Sequence, residues 1–207
     1  MTMGEKIIFA TGNEGKMREI REILGDMDME ILSMKEAGIT ADIVENGTTF
    51  EENAVIKAKE VARMLAERTE NEDAIVMADD SGLEIDALNK EPGIYSARYL
   101  GEDTPYSVKN KNLIERLADV PDEERTARFV CAIAAVMPTG EVIATQGVIE
   151  GRIGYEEKGD NGFGYDPIFY IPEYGCTTAQ LTERQKNEIS HRGKALKAMK
   201  EKLRQRI

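Results

Sequence analysis

The chain has 207 residues, and its 41% of hydrophobic residues is enough to build a folded core, which excludes a disordered chain. Its 39 acidic residues outnumber its 27 lysines and arginines, and the net charge of −12 disfavours nonspecific binding to nucleic acid or to an anionic membrane. The two cysteines lack CxxC spacing, and no apolar run suits a signal peptide or a membrane span, so we expect a reduced, cytoplasmic protein.

Apolar periodicity divides the chain into alternating strands and helices. Asn13 is expected to cap the first helix, and Thr49 and Glu52 have the spacing of a capping box at the start of the second. The expected elements, in chain order, are a strand at 6–11, a turn at 12–15, a helix at 16–24, a strand at 30–32, a helix from 49, strands at 74–80 and 83–88, a helix from 104 to about 118, strands at 128–137 and 142–150, a strand at 168–171 and a helix from about 190.

The order of these elements predicts the fold class. The first half follows a β-α-β order, Ser81-Gly82 is expected to turn the chain, and Pro138-Thr139-Gly140 predicts a hairpin. No internal repeat and no low-complexity linker interrupts the sequence. We therefore expect residues 1–207 to form one domain of the α/β class with a mixed sheet.

The turn TGNEGK at residues 11–16 resembles two known phosphate loops but matches neither, because it lacks both the GxxxxGK[ST] and the GxGxxG spacing. Glycine lets backbone approach an anion closely, and a helix N-terminus presents free N–H groups. Lys16 adds a full charge there, although a lysine in the first turn opposes the helix dipole. We interpret the turn as an anion site; the alternative is an ordinary turn with an exposed lysine.

Acidic residues follow an apolar strand at Asp79 and Asp80, and Glu45 precedes an Asn-Gly turn. Ligand sites of open α/β sheets lie at the C-terminal ends of strands, and a turn after Asp80 would direct both carboxylates toward one cation. Oxygen ligands without a His or Cys cluster indicate magnesium. Lys57 borders the apolar stripe of the second helix, so it either extends its ammonium group to solvent or points at a bound anion.

Two later motifs supply aromatic and cationic side chains. In GFGYDP, residues 162–167, Phe163 or Tyr165 either lies against a flat base or fills the core. In SHRG, residues 190–193, the only histidine, His191, stands beside Arg192, and Lys186 lies shortly upstream. This group concentrates hydrogen-bond donors, which suits a carbonyl-rich or anionic ligand; the alternative is a basic surface cluster.

TGNEGK, the TFEEN helix start, ADDSGL, PGIYSARY, GFGYDP and SHRGKAL occur here in one order, from Ile7 to about Leu196. In this set and order the chain resembles the inosine triphosphate pyrophosphatase family, the non-standard purine NTP pyrophosphatases or XTP/dITP diphosphatases. The resemblance implies hydrolysis of ITP, dITP or XTP to the monophosphate and pyrophosphate with Mg²⁺. It also implies a homodimer and an elongated mixed central β-sheet flanked by helices, with two lobes and the nucleotide cleft between them.

The resemblance also implies roles for individual residues. Asp80 matches the catalytic general base and a metal-binding acid, and Glu45 matches a metal ligand; Asp79 joins them as a metal-binding candidate. The substrate-binding residues are expected to be Thr11, Gly12, Asn13, Glu14, Gly15, Lys16, Lys57, Ser81, Phe163, Gly164, Tyr165, Asp166, Lys186, His191 and Arg192.

Base selection is expected to depend on Lys186, His191 and Arg192. Hypoxanthine and xanthine present a 6-oxo acceptor, whereas adenine presents a 6-amino donor that would leave a donor-lined pocket unpaired. Two other functions stay open at this point. One is a pyrophosphatase for modified pyrimidine nucleotides, and the other is a nucleotide-sensing module without catalysis, which would not need the paired acids.

Overall fold

The computed structural model describes residues 6–67 and 73–206, and within them the strands form one sheet in the order β2-β1-β3-β4-β5-β6-β7. The strands are β1 Lys6–Phe9, β2 Glu30–Ser33, β3 Ile75–Ile85, β4 Thr126–Val136, β5 Val142–Ile153, β6 Phe169–Ile171 and β7 Cys176–Thr177. The helices are α1 Glu14–Leu24, α2 Phe50–Ala66, α3 Tyr106–Arg116, α4 Glu183–Ile189 and α5 His191–Arg204.

The sheet is mixed, which confirms the predicted fold class. β1 pairs in parallel with both β2 and β3, whereas β6 pairs antiparallel with β5 and with β7. The parallel part follows from the β-α-β order at the start of the chain, because parallel neighbours need a crossover connection. Among the described residues, no helix has the length and apolarity needed to cross a membrane.

The chain divides into two compact units. The first unit draws on Met1–Asp80, Cys131–Gly147 and Arg192–Ile207, and the second on Ser81–Val130 and Val148–His191.

The core of the first unit combines residues spaced two apart on a strand with residues at helical spacing. Ile7 and Phe9 lie two apart on β1, which places them on one face of the sheet. Met17, Ile20 and Leu24 recur at helical spacing on α1 and are all buried against that face. The residues of this core are Ile7, Phe9, Met17, Ile20, Leu24, Met27, Ile75, Met77, Cys131, Ile133, Ala135, Met137, Ile143, Ala195, Leu196, Met199 and Leu203.

The core of the second unit forms around β3, β4, β5 and β6. Phe129 and Phe169 pack with ring centroids 4.4 Å apart. The residues of this core are Leu83, Ile85, Leu113, Leu117, Ala127, Phe129, Ile149, Ile153, Tyr165, Ile168, Phe169, Ile171 and Leu181.

Both predicted N-caps are confirmed. The Asn13 side chain accepts a hydrogen bond from the backbone N–H of Lys16 at 3.1 Å, and that of Thr49 accepts one from Glu52 at 3.1 Å. The reciprocal contact of a capping box would run from the Thr49 N–H to the Glu52 carboxylate. Here that carboxylate accepts a hydrogen bond from the Thr48 N–H at 2.6 Å instead.

The predicted turn at Ser81-Gly82 is wrong. β3 continues without interruption to Ile85, so residues 74–80 and 83–88 are parts of one longer strand followed by a short 3-10 helix. The apolar side chains of Leu83 and Ile85 are fully buried and hold the strand in its extended course. A Ser-Gly pair permits a turn but does not require one when the next residues belong to a core.

The prediction also missed α4 and β7. Thr182 and Gln185 form a complete capping box at the start of α4, a signal that the TERQ sequence carried. The helix ends at Ile189, and the extended backbone of Ser190 separates it from α5.

Two glycines with the same left-handed backbone, one in each unit, offer a test of packing. Gly140 has φ +85°, and a Cβ there meets nothing within 4 Å; Gly159 has φ +88°, but a Cβ there lies 2.4 Å from the Ala179 carbonyl. Gly140→Ala should cost about 1 kcal/mol for the backbone conformation alone. Gly159→Ala should cost at least about 1 kcal/mol more, because backbone atoms must move. Urea unfolding of both variants measures the difference, and equal losses would contradict the contact.

Candidate active site

The TGNEGK turn connects β1 to α1 and carries the first group of polar residues. Asn13 caps the helix, and the Thr11 hydroxyl accepts a hydrogen bond from the Asn13 N–H at 3.2 Å. Glu14 and Gly15 are the first two residues of α1, and Lys16 is the third. Because β1 and β3 are parallel neighbours, the start of α1 lies at the end of β1 that adjoins Asp79.

Lys16 forms an ion pair with Asp79 on β3. Its Nζ lies 3.0 Å from each carboxylate oxygen of Asp79, whose side chain is 1% exposed. Asp79 also receives the Arg192 guanidinium, with Nη2 at 3.2 Å, and Arg192 in turn donates to Glu19 at 2.6 Å. Burial would raise the pKa of Asp79, but attraction to Lys16, Arg192 and Lys57 outweighs it and lowers that pKa.

Asp80 faces the other side of the strand, as alternation requires. Its Oδ2 accepts a hydrogen bond from Asn53 at 3.0 Å, and its Oδ1 lies 3.8 Å from Lys57 Nζ. Asn53 and Lys57 stand one turn apart on α2, so both reach the same carboxylate. Burial raises the pKa of Asp80, and the negative charge of Glu45 raises it further. Lys57 and Asn53 lower this pKa, but they offset only part of the rise.

Glu45 reaches the same lysine. Its Oε1 lies 3.2 Å from Lys57 Nζ, so the carboxylates of Glu45 and Asp80 converge on one ammonium group. The loop that carries Glu45 is held by the Gly47 N–H, which donates to Asn53 at 2.9 Å. A Cβ at Gly47 would lie 2.7 Å from that Asn53 oxygen, so the loop approaches α2 this closely because residue 47 is glycine.

The expectation that Asp79 and Asp80 point toward one cation does not match the structure. The required turn is absent from β3, and the two carboxylates have different cationic partners. Within residues 6–67 and 73–206, no group of three or more His, Cys, Asp or Glu side chains is arranged to hold a metal ion. Asn53 was not predicted as a site residue, although its spacing from Lys57 placed both on one helix face.

A cavity of about 480 Å³ adjoins this first group, within the range typical of ligand pockets. The TGNEGK turn contributes Thr11 and Gly12, and Glu45 and Lys57 also line the cavity. The structure therefore brings the predicted turn together with the predicted Glu45 and Lys57. The other lining residues, which sequence reasoning did not assign, are Ala10, Met34, Lys35, Gly38, Ile39, Thr40, Ala41 and Ile43.

A second group lies in the second unit, around the GFGYDP loop. Asp166 accepts hydrogen bonds from Lys186 Nζ at 2.8 Å, from the Phe163 N–H at 2.8 Å and from the Thr178 hydroxyl at 2.8 Å. Lys186 Nζ stands 4.6 Å from the centroid of the Phe163 ring. Gly162 has φ +76°, and a Cβ there would lie 2.3 Å from the Asp166 carboxylate, so the loop wraps tightly around this ion pair.

The remaining predicted residues have varied surroundings. Tyr165 is buried and donates its hydroxyl to the Ser96 carbonyl at 2.6 Å, so it fills the core, the alternative named above. Gly164 accepts a hydrogen bond from Asn110 at 3.3 Å. His191 is buried and stacks on Phe129 with centroids 4.8 Å apart. Ser81 lies half-buried on β3.

The residues of the SHRG motif have different contacts within the structure. Arg192 belongs to the first unit, where both Asp79 and Glu19 accept its hydrogen bonds. His191 belongs to the second unit and packs on an aromatic ring. Neighbours in the sequence therefore join different groups, because Arg192 pairs with Asp79 and Glu19, which lie far away along the chain.

The two adjacent aspartates should respond oppositely to neutralisation. The folded-state pKa of Asp79 is lowered, so at neutral pH its charge stabilises the fold, and Asp79→Asn should cost about 3 kcal/mol or more. The folded-state pKa of Asp80 is raised above its ordinary 3.8, so its stabilising contribution is complete below that value and is lost as pH rises through the folded pKa. Asp80→Asn should therefore raise the melting temperature at neutral pH.

Calorimetry of both variants in metal-free buffer measures this contrast. The gain from Asp80→Asn should shrink as the pH falls through the folded-state pKa of Asp80. A loss of stability in both variants at neutral pH would contradict the assigned electrostatics.

Comparison with known proteins shows which family the chain resembles. The Ham1 family model matches residues 7–202. A protein named dITP/XTP pyrophosphatase from Clostridium perfringens is 51% identical over 199 residues, covering 96% of this chain and 97% of that protein. A protein of the same name from Exiguobacterium sibiricum is 47% identical and covers 94% of each chain.

Solved structures agree in fold. The Staphylococcus aureus Ham1 protein superposes with a TM-score of 0.84 at 39% identity, covering 98% of this chain and 100% of that one. A Ham1 protein from Coxiella burnetii gives a TM-score of 0.85 at 39% identity, covering 97% and 98%. The resemblance inferred from the motifs is confirmed, and the chain belongs to the Ham1 family.

Proposed function

We propose that this chain hydrolyses non-standard purine nucleoside triphosphates, such as ITP, dITP and XTP, to the monophosphate and pyrophosphate. The observation that carries the proposal is the convergence of Asp80, Glu45 and Lys57 beside the cavity that the TGNEGK turn lines. The names of the relatives, dITP/XTP pyrophosphatase, support the same chemistry.

Cations and a helix N-terminus supply the attraction for a triphosphate that the net charge of −12 denies to the rest of the surface. The N-terminus of α1 presents backbone N–H groups near Gly12 and Gly15. Lys16 and Lys57 bring two ammonium groups to the same region of the first unit, each next to a carboxylate on β3. We assign these groups to the phosphates.

Asp80 is the residue we assign to the attacking water. Asn53 fixes the orientation of its carboxylate through one oxygen, and burial raises its pKa, which makes it a better proton acceptor than an exposed aspartate. In this role it orients the water for attack at the α-phosphorus, with pyrophosphate leaving. A nucleotide-sensing protein would need no such buried carboxylate.

The donor set fits Mg²⁺. Magnesium in nucleotide enzymes is commonly held by one or two carboxylates together with the substrate's phosphates, so a group of three protein ligands is not required. Glu45 and Asp80 supply two carboxylates that already converge on a single cation, the Lys57 ammonium. When bound, the metal would neutralise charge on the phosphates and on the leaving pyrophosphate.

Base selection by donors stays a prediction. Lys186 is held by Asp166 over the Phe163 ring, an arrangement that keeps a cation next to a flat aromatic surface. A 6-oxo purine would suit such a donor better than adenine would. The homodimer and the cytoplasmic location expected from the sequence also stay predictions.

A panel of triphosphates tests the reaction. We expect ITP, dITP and XTP to yield monophosphate and pyrophosphate in one step, with ATP and pyrimidine triphosphates slower by about 10²-fold. In water enriched in heavy oxygen, the label should enter the monophosphate, because the water attacks the α-phosphorus. Nucleoside diphosphate and orthophosphate as first products, or label in pyrophosphate, would refute the assignment. Preference for pyrimidines would favour the alternative enzyme class.

Magnesium binding is tested on Glu45. Glu45→Gln should raise the Mg²⁺ concentration needed for half-maximal rate on the order of tenfold, because one anionic ligand is lost. Calorimetric titration of the protein with Mg²⁺ and a triphosphate analogue whose α,β-bridge cannot be hydrolysed gives a readout independent of turnover. Glu51→Gln, the same change at an exposed position of α2, is the matched control. Full activity after exhaustive chelation, or equal behaviour of the two variants, would contradict the role.

A further inference from the structure

A closed chain of alternating charges connects α1, β3 and α5 in the first unit. Lys16 contacts Asp79, Asp79 contacts Arg192, and Arg192 contacts Glu19, which returns to α1 one turn after Lys16. We propose that Asp79 is the positioning residue for Lys16, and that Arg192 and Glu19 hold Asp79 in place. The inference rests on the proposed function, in which Lys16 binds the phosphates.

Lys16 needs such a partner more than most side chains do. A lysine has a flexible four-carbon stem, and holding its ammonium at one place costs about 2 kcal/mol of rotamer entropy. Both oxygens of Asp79 lie 3.0 Å from Nζ, which fixes the ammonium before a substrate arrives. Placing a phosphate-binding charge in advance lowers the barrier of the reaction, since less ordering is left for the transition state.

The same contacts argue against Asp79 as a metal ligand. Its oxygens face Lys16 and Arg192, so a divalent cation at this carboxylate would be repelled by two nearby positive groups. Asp80 faces the opposite side of β3 and meets Glu45 through Lys57 instead. The two carboxylates therefore have separate tasks.

Arg192 holds Asp79 and is in turn held by Glu19. Its side chain is 3% exposed, its Nη2 donates to Asp79 at 3.2 Å, and its Nη1 donates to Glu19 at 2.6 Å.

Positioning and plain electrostatics predict different kinetics. Asp79 cancels part of the charge of Lys16, so a purely electrostatic role predicts that Asp79→Asn binds triphosphate more tightly without loss of turnover. A positioning role predicts that kcat falls by about tenfold or more while KM stays equal or decreases. A metal-ligand role predicts a shift in the Mg²⁺ requirement.

A double-mutant cycle with Lys16→Met decides among these roles. If Asp79 acts through Lys16, adding Asp79→Asn to Lys16→Met should change kcat by less than about twofold, although it changes the wild type by about tenfold. The same factor in both backgrounds, or a shifted Mg²⁺ requirement, would overturn the proposal. Melting temperatures confirm that each variant is folded.

Glu19→Gln leaves the buried carboxylate of Asp79 in place and keeps the shape of the side chain at position 19. It should lower kcat by about threefold in the wild type and have no effect in the Lys16→Met background. Glu22→Gln, the same change at an exposed position one turn further along α1, should leave kcat unchanged. Equal effects of Glu19→Gln in both backgrounds would overturn the proposal even if Asp79→Asn does not fold.

Failure of the proposed function gives a separate result. A wild-type protein that hydrolyses no triphosphate refutes the function but not the positioning role. The cycle is then measured on the Kd for inorganic tripolyphosphate, where Lys16→Met should abolish any effect of Asp79→Asn. An effect that persists in the Lys16→Met background overturns the inference.

Discussion

Two adjacent carboxylates are buried on one strand, and strand geometry sends them to opposite faces. Each buried charge needs a cation, because the cost of removing an unpaired carboxylate from water amounts to several kcal/mol. Asp79 forms ion pairs with Lys16 of α1 and Arg192 of α5, whereas Asp80 contacts Lys57 and Asn53 of α2. The attachment of three helices to β3 in the first unit therefore depends on how this strand compensates its two charges.

This compensation also explains how an acidic chain presents cations to an anionic substrate. A lysine on an acidic surface is normally neutralised by whichever carboxylates lie nearby, and its position is not fixed. Lys16 and Lys57 are instead paired with carboxylates that the sheet holds rigidly. Their ammonium groups keep defined places beside the TGNEGK turn, although the net charge of the chain is −12.

Local signals in the sequence predicted the parts of the site that depend on local chemistry. Asn13 caps α1 through a contact three residues away, and the turn before it was recognisable from its glycines. The pairing of Lys16 with Asp79 spans 63 residues, and that of Arg192 with Asp79 spans 113, so no periodicity reveals either. The error at Ser81-Gly82 had the same origin, because burial further along β3 overrode a local turn signal.

The unequal treatment of the two carboxylates has a consequence for function. Asp79 has cations on more than one side, so its charge contributes to the stability of the fold. Asp80 accepts a hydrogen bond from the Asn53 amide and lies 3.8 Å from Lys57, and burial nevertheless raises its pKa, so its ionised form is held at a cost. A protein selected for stability alone would replace Asp80 by a neutral residue of the same shape. Its retention beside Glu45 and Lys57 makes sense if the ionised form is needed for the reaction, where a poorly compensated carboxylate accepts a proton or meets a metal ion more readily than a fully paired one.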